Sequence, residues 1–181
     1  MILESDIEQK TWYRRLVRRR KDGLRMRRKD REITERKKID DMIRSCYCCR
    51  LGFCDDGTAY IVPLNFGYIS EEGKRVFYFH GAKEGRKLEL IRRYHRAGFE
   101  LDTAYQMHVG EAPCSYSAAF QSVIGAGRVD LVEEPEEKRK ALCELMRHNT
   151  GKSDWTFTDG MLDAVCVFKL EVEEISCKEH E

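Results

Sequence analysis

The chain has 181 residues, 41% hydrophobic and 36% charged, which is enough for one domain with a real core under an unusually ionic surface. Its 3 prolines and 13 glycines exclude a collagen-like repeat or a long disordered tract, and no apolar run approaches the roughly 18–20 residues of a membrane helix. The formal net charge of +1 hides an asymmetry, because residues 1–45 carry 16 Lys+Arg against 9 Asp+Glu, whereas residues 46–181 carry 17 against 23. A basic arm of this kind can meet nucleic acid or an anionic surface, but it reads first as a solvated helix face, so nucleic acid is not the expected partner. No secretory signal pattern opens the chain, and its 8 cysteines then point to reduced thiols and a cytoplasmic location.

In chain order, Trp12/Leu16 and Tyr13/Val17 at i, i+4 spacing, followed by Arg18, Arg19, Arg20 and Lys21, predict a basic helical N-terminal extension over 1–25. The domain proper is then expected over 26–181. Thr34 suits the N-cap of a helix over about 35–45, with Ile39, Met42, Ile43 and Cys46 on one face. Leu51 to Cys54 is short and apolar, and Asp55-Asp56-Gly57 signals a hairpin. Tyr60, Val62, Leu64, Phe66 and Tyr68 alternate with mostly smaller residues, which predicts one long strand over 60–68. A turn at Glu71 to Lys74 leads to a strand over 76–80. A helix over about 85–96 should bury Leu88, Leu90, Ile91 and Tyr94. Strand alternation resumes at Phe99, and a further long strand or strand pair covers 115–133, with Gly125 and Gly127 at bends or bulges. Pro135 opens a helix whose Leu142, Leu145 and Met146 point inward, and a final strand covers 165–175. About six strands joined mainly by turns, with helices inserted at two points, predict a mainly β fold, an antiparallel barrel with peripheral helices. Most joints are too short for the crossovers of a doubly wound parallel sheet.

The segment Phe79-His80-Gly81-Ala82-Lys83-Glu84-Gly85-Arg86-Lys87-Leu88 is the most informative. A strand ends, glycines bracket a short loop, and a helix begins with two cations, where the helix dipole already presents positive potential. Such a start describes a phosphate cradle, or else a helix whose cations are simply solvated. Its spacing is neither that of a P-loop nor of a Rossmann glycine motif. In Tyr60 to Gly67, Pro63 cannot donate to a ladder, so the strand lies at an edge or an interrupted pairing, and the small Gly67 would let a flat ring approach. Cys46-Tyr47-Cys48-Cys49 contains one Cys-x-x-Cys with no second pair to complete a zinc site, so no metal is expected. His80, His95, His108 and His148 are formal haem ligands as residue types.

Three ordered segments carry a resemblance: Asp-Asp-Gly-x-x-Tyr-Ile-Val-Pro-Leu-Asn-Phe-Gly-Tyr at 55–68, Phe-His-Gly-Ala-Lys-Glu-Gly-Arg-Lys at 79–87, and Ser-Val-Ile-Gly-x-Gly-Arg-Val at 122–129. Together they resemble the nitroimidazole-resistance (Nim-type) branch of the pyridoxamine 5'-phosphate oxidase-like FMN-binding split-barrel family, and Met26 to Ile33 resembles that branch's usual beginning. The resemblance implies a six-stranded antiparallel split β-barrel, a homodimer, and FMN in a groove between subunits. It implies that Val62, Pro63, Leu64 and Asn65 face the isoalloxazine, and that His80, Gly81, Ala82, Arg86 and Lys87 surround the phosphate. Ser122 would reach the flavin, and Trp155 and Phe157 would close the groove from the partner subunit. The implied activity is an FMN-dependent oxidoreductase that reduces small electron-poor compounds such as nitro groups. His80 is the candidate for proton delivery, or else a hydrogen-bonding group at the phosphate. The substrate-phosphate residues of the pyridoxamine oxidases cannot be located, so vitamin metabolism is not implied. The alternative is a haem- or flavin-binding, non-catalytic, regulatory split-barrel protein.

Overall fold

Alternation of period two runs through most of the chain and sets the architecture, seen in a computed structural model that describes residues 27–181. The helical extension expected over 1–25 lies outside the described residues. The strands are β1 (Glu32–Ile33), β2 (Cys49–Asp55), β3 (Thr58–Leu64), β4 (Gly67–Glu71), β5 (Lys74–Gly81), β6 (Arg96–His108), β7 (Ser117–Val132) and β8 (Cys166–His180). Four helices accompany them: α1 (Arg36–Ser45), α2 (Arg86–Tyr94), α3 (Pro135–Thr150) and α4 (Asp159–Ala164). All strand pairs are antiparallel, in the order β3-β2-β6-β7-β8-β5-β4, with β1 added to β8. The count among the described residues is thus eight strands rather than six, because the β4 edge and the two-residue β1 are separate elements. On one side β8 pairs with β7; on the other, its first half takes β5 and its far end takes β1. That fork splits the barrel. Among the described residues, no helix is long and apolar enough to cross a membrane.

The long strand expected over 60–68 is two strands. Asn65 and Phe66 form a corner that carries the chain from β3, at one edge of the sheet, to β4, at the other. A two-residue link can join opposite edges only if the sheet curls round, so this corner closes the barrel. Polar bonds hold it: Asn65 Nδ2 donates to the Tyr47 carbonyl and to Asn149 Oδ1, and Asn149 Nδ2 donates to the Phe66 carbonyl. Phe66 itself is fully buried and packs edge-on against Phe77.

Inside the barrel, Leu51, Phe53, Phe77, Phe79, Phe99, Leu101, Val123, Phe168 and Leu170 meet the apolar faces of α1 (Ile39, Met42, Ile43) and α2 (Leu88, Leu90, Ile91). Cys46 and Cys49 belong to this core, and burial pushes the Cys46 thiol up to about 11. A second, smaller core lies on the other face of β5 and β8, where Tyr78 and Val167 pack beneath Leu142 of α3 and Leu162 of α4. Phe157 packs against this second core within its own chain. Thr34 does not cap α1; the N-cap is Glu35, whose side chain makes no capping bond. Pro135 opens α3 as expected.

The register of β7 against β8 shifts between Ala126 and Gly127, so the glycines do mark a bulge. A Cβ on Gly127 would lie 2.1 Å from the Glu171 carbonyl oxygen and 2.9 Å from Leu170 Cδ2. Gly127→Ala should therefore cost about 1–3 kcal/mol through overpacking, read as a lower urea midpoint. An unchanged midpoint would mean that the bulge can relax.

Candidate cofactor site at the barrel mouth

β5 ends at Gly81, residues 82–85 form a loop, and α2 begins at Arg86. Its N-cap, Gly85, sits at φ 122°, in the region that favours glycine, and offers no side chain to the first turn. The helix therefore starts with uncapped amides and two cations, the combination that suits an anion.

The two cations differ in their surroundings. Lys87 is half-buried, with Nζ 2.9 Å from where a Gly81 Cβ would lie and 5.2 Å from the centre of the Phe168 ring. It has no carboxylate partner among the described residues, and burial holds its pKa below the ordinary lysine value. Arg86 donates from Nε to Asp55 and lies 5.7 Å from the centre of the Tyr60 ring. Asp55 is only 9% exposed. The turn signal Asp-Asp-Gly does not reveal its burial or its pairing with Arg86. The available clue is that Asp55 continues the inward register of Cys49, Leu51 and Phe53, a place where a carboxylate needs a cation.

Gly81 pairs in register with Cys166 at the start of β8. Burial pushes the Cys166 thiol up, while Arg92, Lys138, Lys87 and Lys83 draw it back, so four cations lie within electrostatic reach of this corner. Lys138 is fixed by donating to the Leu162 carbonyl at 2.9 Å. None of the four has a carboxylate partner among the described residues.

The remaining sequence-derived positions are spread more widely. His80 pairs with Val167 and is exposed, and strand alternation turns it towards the face covered by α3 and α4, opposite to Gly81. Ala82 is exposed in the loop. β3 is the sheet edge, as Pro63 requires; Pro63 points outward opposite Arg50, while Val62 and Leu64 pack against the core. The amide of Asn65 is committed to the barrel corner. Gly67 does not leave room for a ring, because the backbone of α3 fills the space above it. Ser122 is half-buried in β7 between Asp102 of β6 and Lys178 of β8. Gly81 sits opposite Cys166 and Ser122 opposite Lys178, so twelve residues of β8 separate their levels, roughly 40 Å of extended strand. The four histidines named above lie apart in the fold: His95 Nδ1 donates to the Asp130 carboxylate at 2.7 Å, and His148 Nε2 lies 2.7 Å from the Cys46 carbonyl oxygen.

A forked antiparallel barrel with an anion-suited mouth places the protein among the split-barrel proteins. The chain belongs to the pyridoxamine 5'-phosphate oxidase-like family, whose model, described as pyridoxamine 5'-phosphate oxidase, matches residues 35–179. Among solved structures, a candidate 5-nitroimidazole antibiotic resistance protein from Bacteroides thetaiotaomicron is 30% identical, with a TM-score of 0.71 over 82% of this chain and 86% of that one. The FAD and heme binding protein from Mycobacterium smegmatis has a TM-score of 0.74 at 18% identity, covering 83% of this chain and 74% of its own. A flavocytochrome from Azotobacter vinelandii has a TM-score of 0.73 at 16% identity, covering 89% and 74%. The last two show the shared fold. No protein of curated function matches the sequence.

Proposed function

We propose that this chain is a flavoprotein that holds FMN at the β5–α2 corner and acts as an oxidoreductase on small electron-poor compounds, nitro compounds among them. The observation that carries the reading is Lys87: a half-buried ammonium without a carboxylate partner among the described residues, against a glycine whose Cβ would crowd it. The donor set fits a phosphate monoester. Uncapped amides, Lys87 and the nearby Lys83, Arg92 and Lys138 supply positive potential, and no acid among the described residues pairs with Lys87. Arg86 belongs to the same candidate set, with Gly81 and Ala82 lining the approach. When bound, the flavin supplies the redox chemistry. The chain's part is to orient the ring along the edge of β3, at Val62, Pro63, Leu64 and Asn65; His80, on the opposite face of β5 from Gly81, stands away from this corner.

The separation of Ser122 from the phosphate corner supports a homodimer. Twelve residues of β8 lie between the two levels, at most roughly 40 Å of strand, and a second copy that brings its own Ser122 to the corner would let one cofactor touch both positions. The outer sheet face suits such pairing: Ile61 and Ile124 are exposed there, beside the side-chain-poor row Gly52, Gly98 and Ala126. The relative named for 5-nitroimidazole antibiotic resistance favours nitro compounds as the substrate class.

Purified protein should absorb near ~450 nm, as flavins do, release FMN on denaturation and sediment as a dimer. Absence of flavin together with failed reconstitution by FMN would overturn the reading, and a Soret band without flavin absorption would favour the haem alternative. Activity is tested by flavin-dependent reduction of a nitroimidazole with a supplied reductant; no turnover with loaded protein would leave a binding protein.

A further inference from the structure

We infer that the outer end of the β6–β7 hairpin, residues 103–120, is an arm that packs on a second copy of this chain. There its Tyr105 and Met107 roof the copy's flavin and restrict the site to small, flat substrates. This rests on the flavin reading above and adds to it a partner element and a limit on substrate size.

Beyond the barrel the hairpin stands by itself. β2 pairs with β6 only from Gly98 to Glu100, and β8 follows β7 only as far as Phe120. Past those limits Gln106, Met107 and His108 pair with Ala119, Ala118 and Ser117, and no third strand joins them among the described residues. A two-stranded ribbon alone is marginal in water, so this one needs a cover. Its tip is nonetheless built: Ser115 Oγ accepts from the Ala112 amide at 3.1 Å and donates to the Ala112 carbonyl at 2.8 Å. Tyr105, Met107, Val109 and Tyr116 are each more than half exposed. Residues 103–120 include a single Asp, Glu, Lys or Arg, Glu111, in a chain that is 36% charged. A surface that is apolar and nearly free of charge has the composition of an interface core.

The face on which this patch lies identifies its occupant as a second copy. β7 keeps one register against β8 from Phe120 to Ala126, and Val123 is buried, so Phe120, Ser122, Ile124 and Ala126 share the outer face. Ala118 continues that row. Met107 stands opposite Ala118, and Tyr105, two residues earlier at the bulge after Thr103, extends the patch. The patch is therefore continuous with exposed Ile124 and with Ser122, the residue that a second copy would bring to the flavin corner. Two-fold pairing also sets neutral surface against neutral surface and buries no unpaired charge. Along the strand, Phe120 is about 7 Å and Ala118 about 13 Å from Ser122. Whichever copy supplies Ser122 thus brings Tyr105 and Met107 towards the same ring. An aromatic ring and a thioether, polarisable and uncharged, suit a planar electron-poor compound and leave no room for a bulky one.

Sedimentation of the full chain tests the arm. Tyr105→Lys combined with Met107→Lys should raise the dimer dissociation constant by about hundredfold or more, because both charges enter the buried contact. Met161→Lys, at a similarly exposed residue of α4 away from this face, should leave it within about twofold. A dimer unchanged by the arm variant, or an unaltered protein that sediments as a monomer, would overturn the proposal. The roof is tested in FMN-loaded protein at concentrations that keep it dimeric. Tyr105→Ala should raise flavin fluorescence severalfold, since a tyrosine against the ring quenches it, and leave the preference for FMN over riboflavin unchanged. It should also shift relative kcat/KM by about tenfold towards a nitroimidazole with a bulky substituent. Unchanged fluorescence would overturn the roof even where the arm variant dissociates the dimer. If the unaltered protein binds no flavin, the flavin reading fails and the roof with it, while sedimentation still decides the arm.

Discussion

Replacing Asp40 with alanine is expected to lower folding stability by about 3–5 kcal/mol, the cost of stranding a buried cation and two hydroxyls. Asp40 lies on α1 and is almost fully buried. Its carboxylate accepts from Tyr68 Oη at 2.7 Å, Ser70 Oγ at 2.8 Å and Arg75 Nε at 2.7 Å. One side chain thus ties α1 to both β4 and β5, and Arg75 is as buried as Asp40, with 12% and 11% exposure. Burial works against ionisation, but the three donors and the charge of Arg75 prevail and hold the Asp40 pKa below its ordinary value. The sign of the pH effect follows. A carboxylate with a lower pKa in the folded than in the unfolded chain contributes its stability above about pH 4 and loses it as pH falls through the folded value. Asp40→Asn should keep several of the bonds, cost less than alanine, and show a smaller loss of stability between pH 5 and pH 2. Urea titrations at those pH values measure both effects. An alanine variant within about 1 kcal/mol of the unaltered protein would show that water replaces the network.

Gly67→Ala is expected to cost about 3 kcal/mol, and possesses a clean control. A Cβ there would lie 2.5 Å from the Leu145 nitrogen, 2.8 Å from the Glu144 carbonyl carbon and 2.9 Å from Leu145 Cα. These are backbone atoms of α3, whose Ala141, Leu142 and Leu145 are buried, so relief requires the helix to move away from β4. Gly52→Ala meets only the Gly98 carbonyl oxygen at 4.0 Å and should be nearly neutral. Denaturant midpoints for the two variants give the comparison directly. Equal midpoints would mean that α3 rides freely on the sheet.

Much of this architecture is legible in the sequence because it depends on local periodicity. The inward faces of α1 and α2, the start of α3 at Pro135, the bulge near Gly127 and the edge position of Pro63 all follow from residue type and spacing. What remained hidden depends on partners distant in the chain. The alternation of residues 60–68 continues unbroken through Asn65 and Phe66, and only Tyr47 and Asn149 reveal why the strand stops there. Gly67 is small for the sake of a helix some eighty residues later. At the candidate site, the adjacency of Gly81, Arg86 and Lys87 is local and could be read. The commitment of Arg86 to Asp55 is not, since it spans 31 residues. Likewise His80 and Gly81 are neighbours in sequence but face opposite sides of one strand, a consequence of pleating that motif reading overlooks.

The place of β8 in the sheet has a consequence for how the chain is made. This strand joins two sub-sheets, β3-β2-β6-β7 and β5-β4, yet its residues leave the ribosome after those of every other strand described. Until then β7, paired with β6 on one side, presents the open edge that residues Phe120 to Val132 later turn to β8, and β5 presents its own open side. Such edges are the usual route to intermolecular pairing during synthesis. The growing chain thus depends on rapid capture of β8, or on a chaperone that shields β7 until β8 emerges.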